Sequence, residues 1–173
     1  MPLRINTSDS LRKNQRLMET LVFFLRLIIL AAPLYFMIHF ADLYFLQSLT
    51  ASSSLWIFMG FGFEAAQNGP EMVVDGFQFF ISKDSTAWKS ILFLFALIFA
   101  IPNVPNKKRL LGLVIGIPVI WFANLGRIIG IVLVEKAYDL ETAMFTHDIL
   151  WRFGLIGVVL GFWLFWNFKV RTW

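Results

Sequence analysis

Three residues of this sequence have side chains suited to acyl transfer: Ser85, Arg127 and His147. A hydroxyl becomes a nucleophile once a base takes its proton, an imidazole can move protons near neutral pH, and a fixed guanidinium can stabilise the oxyanion formed at an attacked carbonyl. Each also has a plain reading. Ser85 stands in "KDSTAWKS", directly ahead of the apolar run "ILFLFALIFA", where serine commonly caps a helix. His147, in "AMFTHDILWRF", lies where a loop enters an apolar segment and suits an ordinary helix start. Arg127 follows Asn124 by three residues in "WFANLGRIIGI", so the two project from one helix face. An arginine in such a run needs an internal partner or a polar cavity, and a structural pair with Asp84 or Asp148 would answer that need as well as a function would. Asp84, Thr86, Asn124 and Asp148 are the supporting candidates beside the three.

Whether these residues can meet depends on the elements that carry them. Crossing about 30 Å of hydrocarbon takes roughly 20 apolar residues as a helix. Apolar segments at 21–46, 110–134 and 149–168 meet that length, and 88–104 is shorter but strongly apolar, ending at "PNVPNKKR" with its prolines and charges. The basic clusters "LRKNQR", "NKKR" and "KVR" all fall on one side if the N-terminus is cytoplasmic and the four segments alternate. The inside bias of Lys and Arg then gives both termini in the cytoplasm. Ser85, Arg127 and His147 fall in the outer half, on three different helices. Arg127 sits roughly 10 Å inside the outer end of its span, at about 1.5 Å per residue.

Composition agrees with a membrane bundle. Of 173 residues, 58% are hydrophobic and 17% aromatic, with a mean hydropathy of +0.72, well above the balance of a soluble domain. The net charge of +4 is laid out as a topology signal, with Glu64, Glu71, Asp75, Asp139, Glu141 and Asp148 in the other loops, so a nucleic-acid partner is not expected. No cysteine is present, which leaves no thiolate metal site or disulfide; no metal and no cofactor are expected. The first apolar run is too long for a removable signal peptide and reads as a retained span.

The expected fold is therefore an all-α membrane protein, a polytopic helical bundle of about four full spans in one integral domain covering 1–173. The segment 47–87 fits no span. Its apolar stretch Leu55 to Phe63 reads as a short outer interfacial or re-entrant helix, and Asp75-Gly76 as the turn of a small hairpin. Glycines spaced by four, Gly112/Gly116, Gly126/Gly130 and Gly157/Gly161, predict close helix packing. Arg26 can snorkel, while His39 and Asp42, near the end of the first span, face each other or water.

The three segments "DSTAWKS", "NLGRIIGI" and "FTHDI", in this order and at these membrane positions, resemble the archaeosortase/exosortase family of membrane transpeptidases, most closely its compact archaeal members. In that family a cysteine opens the first motif, an arginine completes an Asn-x-x-Arg motif and a histidine precedes the last span; these fall on Ser85, Arg127 and His147. Serine in place of cysteine departs from the pattern and implies an inactive or weak form, read here as an engineered Cys→Ser change. Ala87 stands where the family commonly has glycine.

The resemblance implies cleavage of secreted proteins at a C-terminal sorting signal, made of a motif, a transmembrane helix and a basic tail. Transfer then follows to an amine acceptor, expected to be a lipid, at the outer face of the plasma membrane, with membrane lipids as the surroundings. Two other readings stand beside it: an intramembrane serine hydrolase using Ser85 and His147 as they are, and a non-enzymatic scaffold or transporter subunit in which Arg127 pairs structurally.

Overall fold

The computed structural model describes residues 7–138, 142, 145, 149 and 153–169. Helix α1, Thr7–Phe40, is followed by α2, Tyr44–Gly60; strands β1, Ala65–Asn68, β2, Glu71–Val74, and β3, Phe77–Phe80; a single 3-10 turn, Lys83–Thr86; and helices α3, Trp88–Ala100, α4, Asn106–Ala137, and α5, Leu155–Lys169. The chain is thus mostly helical, with one small antiparallel sheet in the order β1-β2-β3.

Helix α3 is the centre of the bundle and packs against α1, α4 and α5. Leu94, Ile98, Ile120 and Val159 are sealed in the core it makes with α4 and α5. The opposite faces stay apolar and open: Leu21, Phe24, Ile28 and Phe36 on α1, and Leu110, Val114 and Phe122 on α4, are all largely exposed. In water such continuous apolar faces would be a liability, and in lipid they are the natural exterior. Two helices, α1 from Arg12 and all of α4, are long and apolar enough to cross a membrane. Helix α3 has 13 residues, about 20 Å of rise, short of the full span expected over 88–104. It stops because Pro102 forces Ile101 into an extended conformation, φ −69° and ψ 123°.

The first span also ends earlier than its hydropathy predicts. Helix α1 closes at Phe40, and the Asp42 carboxylate accepts the Tyr44 N–H at 2.9 Å, starting α2 within the apolar run that extends to residue 46. Helix α2 is 17 residues long, nearly twice the short apolar stretch expected there. Its first half, "YFLQSLTASSS", is too polar for a hydropathy signal. Its polar side chains are satisfied within the helix, the Ser48, Thr50 and Ser53 hydroxyls turning back to carbonyls four residues earlier, at 2.8–2.9 Å.

The expected hairpin is present, with Asp75 and Gly76 at φ 48° and 86° making a two-residue turn of the kind that matches strand twist. A third strand, β1, pairs with β2 although "AAQN" has little strand propensity. Met72 and Val74 point inward with Phe58, Ile81, Ile128 and Val132, so the sheet and α2 together sit on one end of α4.

A polar latch holds that end. Lys136, in the last turn of α4, donates to Asp75, which also accepts the Glu64 N–H at 2.9 Å; the lysine ammonium lies 4.4 Å from the centre of the Phe63 ring. The Lys136 hydrogen bond, then that of Glu64, hold the Asp75 carboxyl below its ordinary 3.8. A carboxylate depressed in the folded state stabilises the fold above its unfolded pKa and loses that contribution as pH falls through the folded value. The latch therefore holds at neutral pH and releases in acid below 3.8. Protection of the Val74 and Phe77 amides from hydrogen exchange is expected to drop in that range, and Asp75→Asn to abolish the pH dependence; an unchanged profile in the variant would assign the acid effect elsewhere.

The glycine pairs divide. A Cβ on Gly112 would come within 2.5 Å of the Trp166 indole nitrogen, and one on Gly116 within 2.5 Å of both Leu94 and Phe162. That pair packs as expected. Gly126, Gly130, Gly157 and Gly161 do not: among the described residues, nothing lies within 4 Å of their Cβ positions.

Candidate active site

Ser85 is carried on a ledge between β3 and α3. The 3-10 turn closes through Ser85 N–H to Ser82 O at 3.0 Å, and the Thr86 hydroxyl donates to Lys83 O at 2.8 Å. Ala87 then adopts φ 61° and ψ 5°, the left-handed conformation, and its carbonyl accepts the Ile91 N–H at 3.0 Å to open α3. An L-residue pays roughly 1–2 kcal/mol there, and glycine adopts it freely. That accounts physically for a glycine preference at this position. Ala87→Gly is expected to leave stability within about 1 kcal/mol, because relief of strain offsets the lost methyl burial and the freer unfolded chain. Ala87→Val should lower the unfolding temperature in detergent clearly, since a β-branched side chain is worst tolerated at positive φ. Equal tolerance of both variants would show that the backbone there is not held left-handed.

Three other elements hold the ledge. Lys83 donates to His39 O at 3.1 Å and Ala41 O at 2.5 Å, capping the end of α1. Gln47 of α2 donates to Ile81 O at 2.8 Å. Asn124 of α4, fully buried, donates from Nδ2 to Ser85 O at 2.7 Å. The Ser85 hydroxyl itself lies 3.1 Å from that of Ser82, and among the described residues it meets no base.

Arg127 is one turn beyond Asn124 on the same face. It is 5% exposed, and its Nε and Nη1 have no hydrogen-bond partner among the described residues. Asp84, a candidate for a structural pair, instead binds Lys89 at 2.9 Å on the surface. Arg127 lines two cavities. One, of about 380 Å³, is bordered by Asp84, Ala87, Lys89, Ser90 and Leu155, so Asp84 and Ala87 of the Ser85 ledge form part of its wall, while Ser85 itself does not line it. The other, of about 260 Å³, opens on the α4–α5 seam. A buried cation with no carboxylate partner among the described residues is costly to the fold.

Of the residues singled out from the sequence, the structure ties Asn124 to the Ser85 carbonyl and sets Asp84 and Arg127 on the wall of one cavity. Thr86 is buried with its hydroxyl turned to Lys83 O, so it shapes the turn and does not face the cavity. His147 and Asp148 lie outside the described residues. Arg26 is exposed on α1. His39 stacks on Tyr35, with ring centroids 5.6 Å apart, while Asp42 is past the helix end, so the two do not face each other. Sequence reasoning missed Gln47 and Lys83 as supports, since a hydrogen bond to a carbonyl over 30 or 40 residues away leaves no local pattern. It also missed the second cavity, for which the unusual exposure of Gly126 would have been the signal.

The family model described as transmembrane exosortase matches residues 11–167. No curated protein and no solved structure matches the chain.

Proposed function

The chain belongs to the transmembrane exosortase family, membrane transpeptidases that process sorting signals, and on that premise we propose that Ser85 occupies the nucleophile's position in a sortase-like site. Arg127 stabilises the oxyanion and His147 moves the protons. The observation that carries this is the joint placement by α4: Asn124 ties down the Ser85 carbonyl, and Arg127, buried and unpaired among the described residues, lines the cavity walled in part by Asp84 and Ala87 of the same ledge.

With a thiol at position 85, its proton passes to His147, the thiolate sulfur bonds to the scissile carbonyl carbon, the C–N bond breaks, and the leaving amine takes that proton from His147. A thioester remains. An acceptor amine, on a lipid, then attacks that carbonyl, its proton passes to His147, and the thiolate leaves as the new amide forms. With serine at position 85 the chain is inactive or weak, because a hydroxyl needs a strong adjacent base. The substrate is a secreted protein whose C-terminal motif precedes a transmembrane helix and a basic tail. The test is a hydroxylamine-sensitive mass shift on the Ser85→Cys form after incubation with cognate sorting-signal peptides. A shift that also appears in Arg127→Ala would remove the arginine from the reaction.

The orientation follows the charges. Four crossings, by α1, α3, α4 and α5, put "NKKR" and both termini in the cytoplasm and the sheet, α2 and Ser85 outside. A membrane-impermeant maleimide is expected to label Glu71→Cys from outside intact cells and not Lys108→Cys. The reverse pattern would invert the topology.

A further inference from the structure

Two faces of small residues, one on each of two neighbouring helices, meet at the surface of the bundle. On α4, Ala123, Gly126 and Gly130 share one face by helical spacing, and on α5 Gly157 and Gly161 continue the face begun by Gly154. The helices are neighbours, since Gly112 meets Trp166 and Gly116 meets Phe162 across their seam. Higher up the same seam, Gly126 and Gly154 both border the cavity of about 260 Å³ that Arg127, Leu155 and Val158 help to line. Gly126, Gly157 and Gly161 are exposed. Small residues turned toward lipid give a helix little by themselves. Their use in a membrane is to let another backbone approach closely, because association there depends on contact and not on escape from water.

A second observation points into the same place. Arg127 is 5% exposed, lacks partners at Nε and Nη1 among the described residues, and reaches the end of the glycine face through that cavity. We propose that the Ala123/Gly126/Gly130 and Gly154/Gly157/Gly161 faces form the docking groove for the substrate's transmembrane helix. The polar segment just ahead of that helix enters the cavity and presents its carbonyls to Arg127. The proposal rests on the sorting-signal reading above and adds where the substrate lies. The groove fits a helix better than a lipid chain for two reasons. From Gly154 to Gly161 the face is about two turns long, roughly 10 Å, the repeat over which helix backbones interlock. An acyl chain, by contrast, conforms to any apolar surface and brings no polar segment to a buried cation. The apolar cleft of about 480 Å³ between α1, α3 and α4 offers the contrasting case, with large side chains such as Leu34, Trp88 and Phe95 and no arginine.

The absence of cysteine makes the test clean. In vesicles, Gly126→Cys and Gly157→Cys are each oxidised in the presence of a cognate sorting-signal peptide carrying one cysteine, scanned along its helix. Disulfides forming at every third or fourth peptide position from both sites, and not from Phe24→Cys on α1, are the expected result. Adducts between two copies of the chain with none to the peptide, or equal adducts from Phe24→Cys, would overturn the groove. This arm reads binding and needs no turnover. In the Ser85→Cys background, Gly126→Leu with Gly157→Leu should lower the cleavage of a helix-bearing peptide, relative to the same peptide ended before its helix, at least about tenfold. An unchanged ratio rejects the docking site. Cleavage of neither peptide by Ser85→Cys alone counts against the transpeptidase reading, and the crosslinking result then decides the groove separately.

Discussion

Ser85→Cys is expected to cleave and acylate a cognate sorting signal on the order of 10² to 10⁴ times faster than the serine chain, the range that a positioned base contributes. Among the described residues, the Ser85 hydroxyl lies 3.1 Å from that of Ser82, and even beside His147 as its assigned base a hydroxyl stays protonated at neutral pH until the moment of attack. A thiol depends far less on that base, because a few per cent is already thiolate and is intrinsically nucleophilic. Exchange of oxygen for sulfur on a half-buried turn held by Asn124, Lys83 and Gln47 leaves the ledge in place. The measurement is the initial rate of peptide cleavage by both forms in the same vesicles, with the thioester trapped by hydroxylamine. Faster cleavage by the serine form would make the protein a serine hydrolase and reject the assignment of position 85.

Arg127→Met is expected to abolish transfer by the Ser85→Cys form, by at least about 10² to 10³-fold, the loss seen when an oxyanion donor is removed. The same change should leave the protein at least as resistant to thermal unfolding. The two outcomes belong together. A buried guanidinium with two nitrogens unpaired among the described residues is a cost to the folded bundle, and an apolar side chain of similar length removes it. Arg127→Lys should also lose most activity, since lysine lacks the planar fork that can hold a carbonyl oxygen from two directions. A structural ion pair would give the opposite pattern, with Arg127→Met unfolding readily. The peptide rate and the unfolding temperature, measured on the same preparations, separate the cases.

What could be read from the sequence was what local chemistry determines. Arg127 stood out because an ionisable group in "WFANLGRIIGI" violates the apolar pattern, and Asn124 followed from helical spacing. The Asp75-Gly76 turn was legible for the same reason, since few residue pairs tolerate two positive φ angles. The missed features depend on distant partners. Asp42 restarts the helix inside an apolar run through one hydrogen bond to Tyr44. The serines and threonine of α2 satisfy themselves on their own helix, so hydropathy saw only its second half. Thr86 was a supporting candidate for the nucleophile, yet its hydroxyl folds onto its own turn, and Lys83 beside it is drawn to the end of α1. Spacing by four could not tell Gly112, pressed on Trp166, from Gly126, which faces open space among the described residues. The difference lies in what the neighbouring helix brings opposite each.

The ledge is tied at Ile81, Lys83 and Ser85 to three helices that the bundle holds independently, α2, α1 and α4. In mechanical terms this is a three-point mount. Two ties leave an axis about which the segment can swing, and the third removes that last freedom. The position of residue 85 relative to Arg127 is therefore a property of the assembled bundle, set by the relative tilt of three helices, and no stretch of chain shorter than Ala41 to Arg127 contains it.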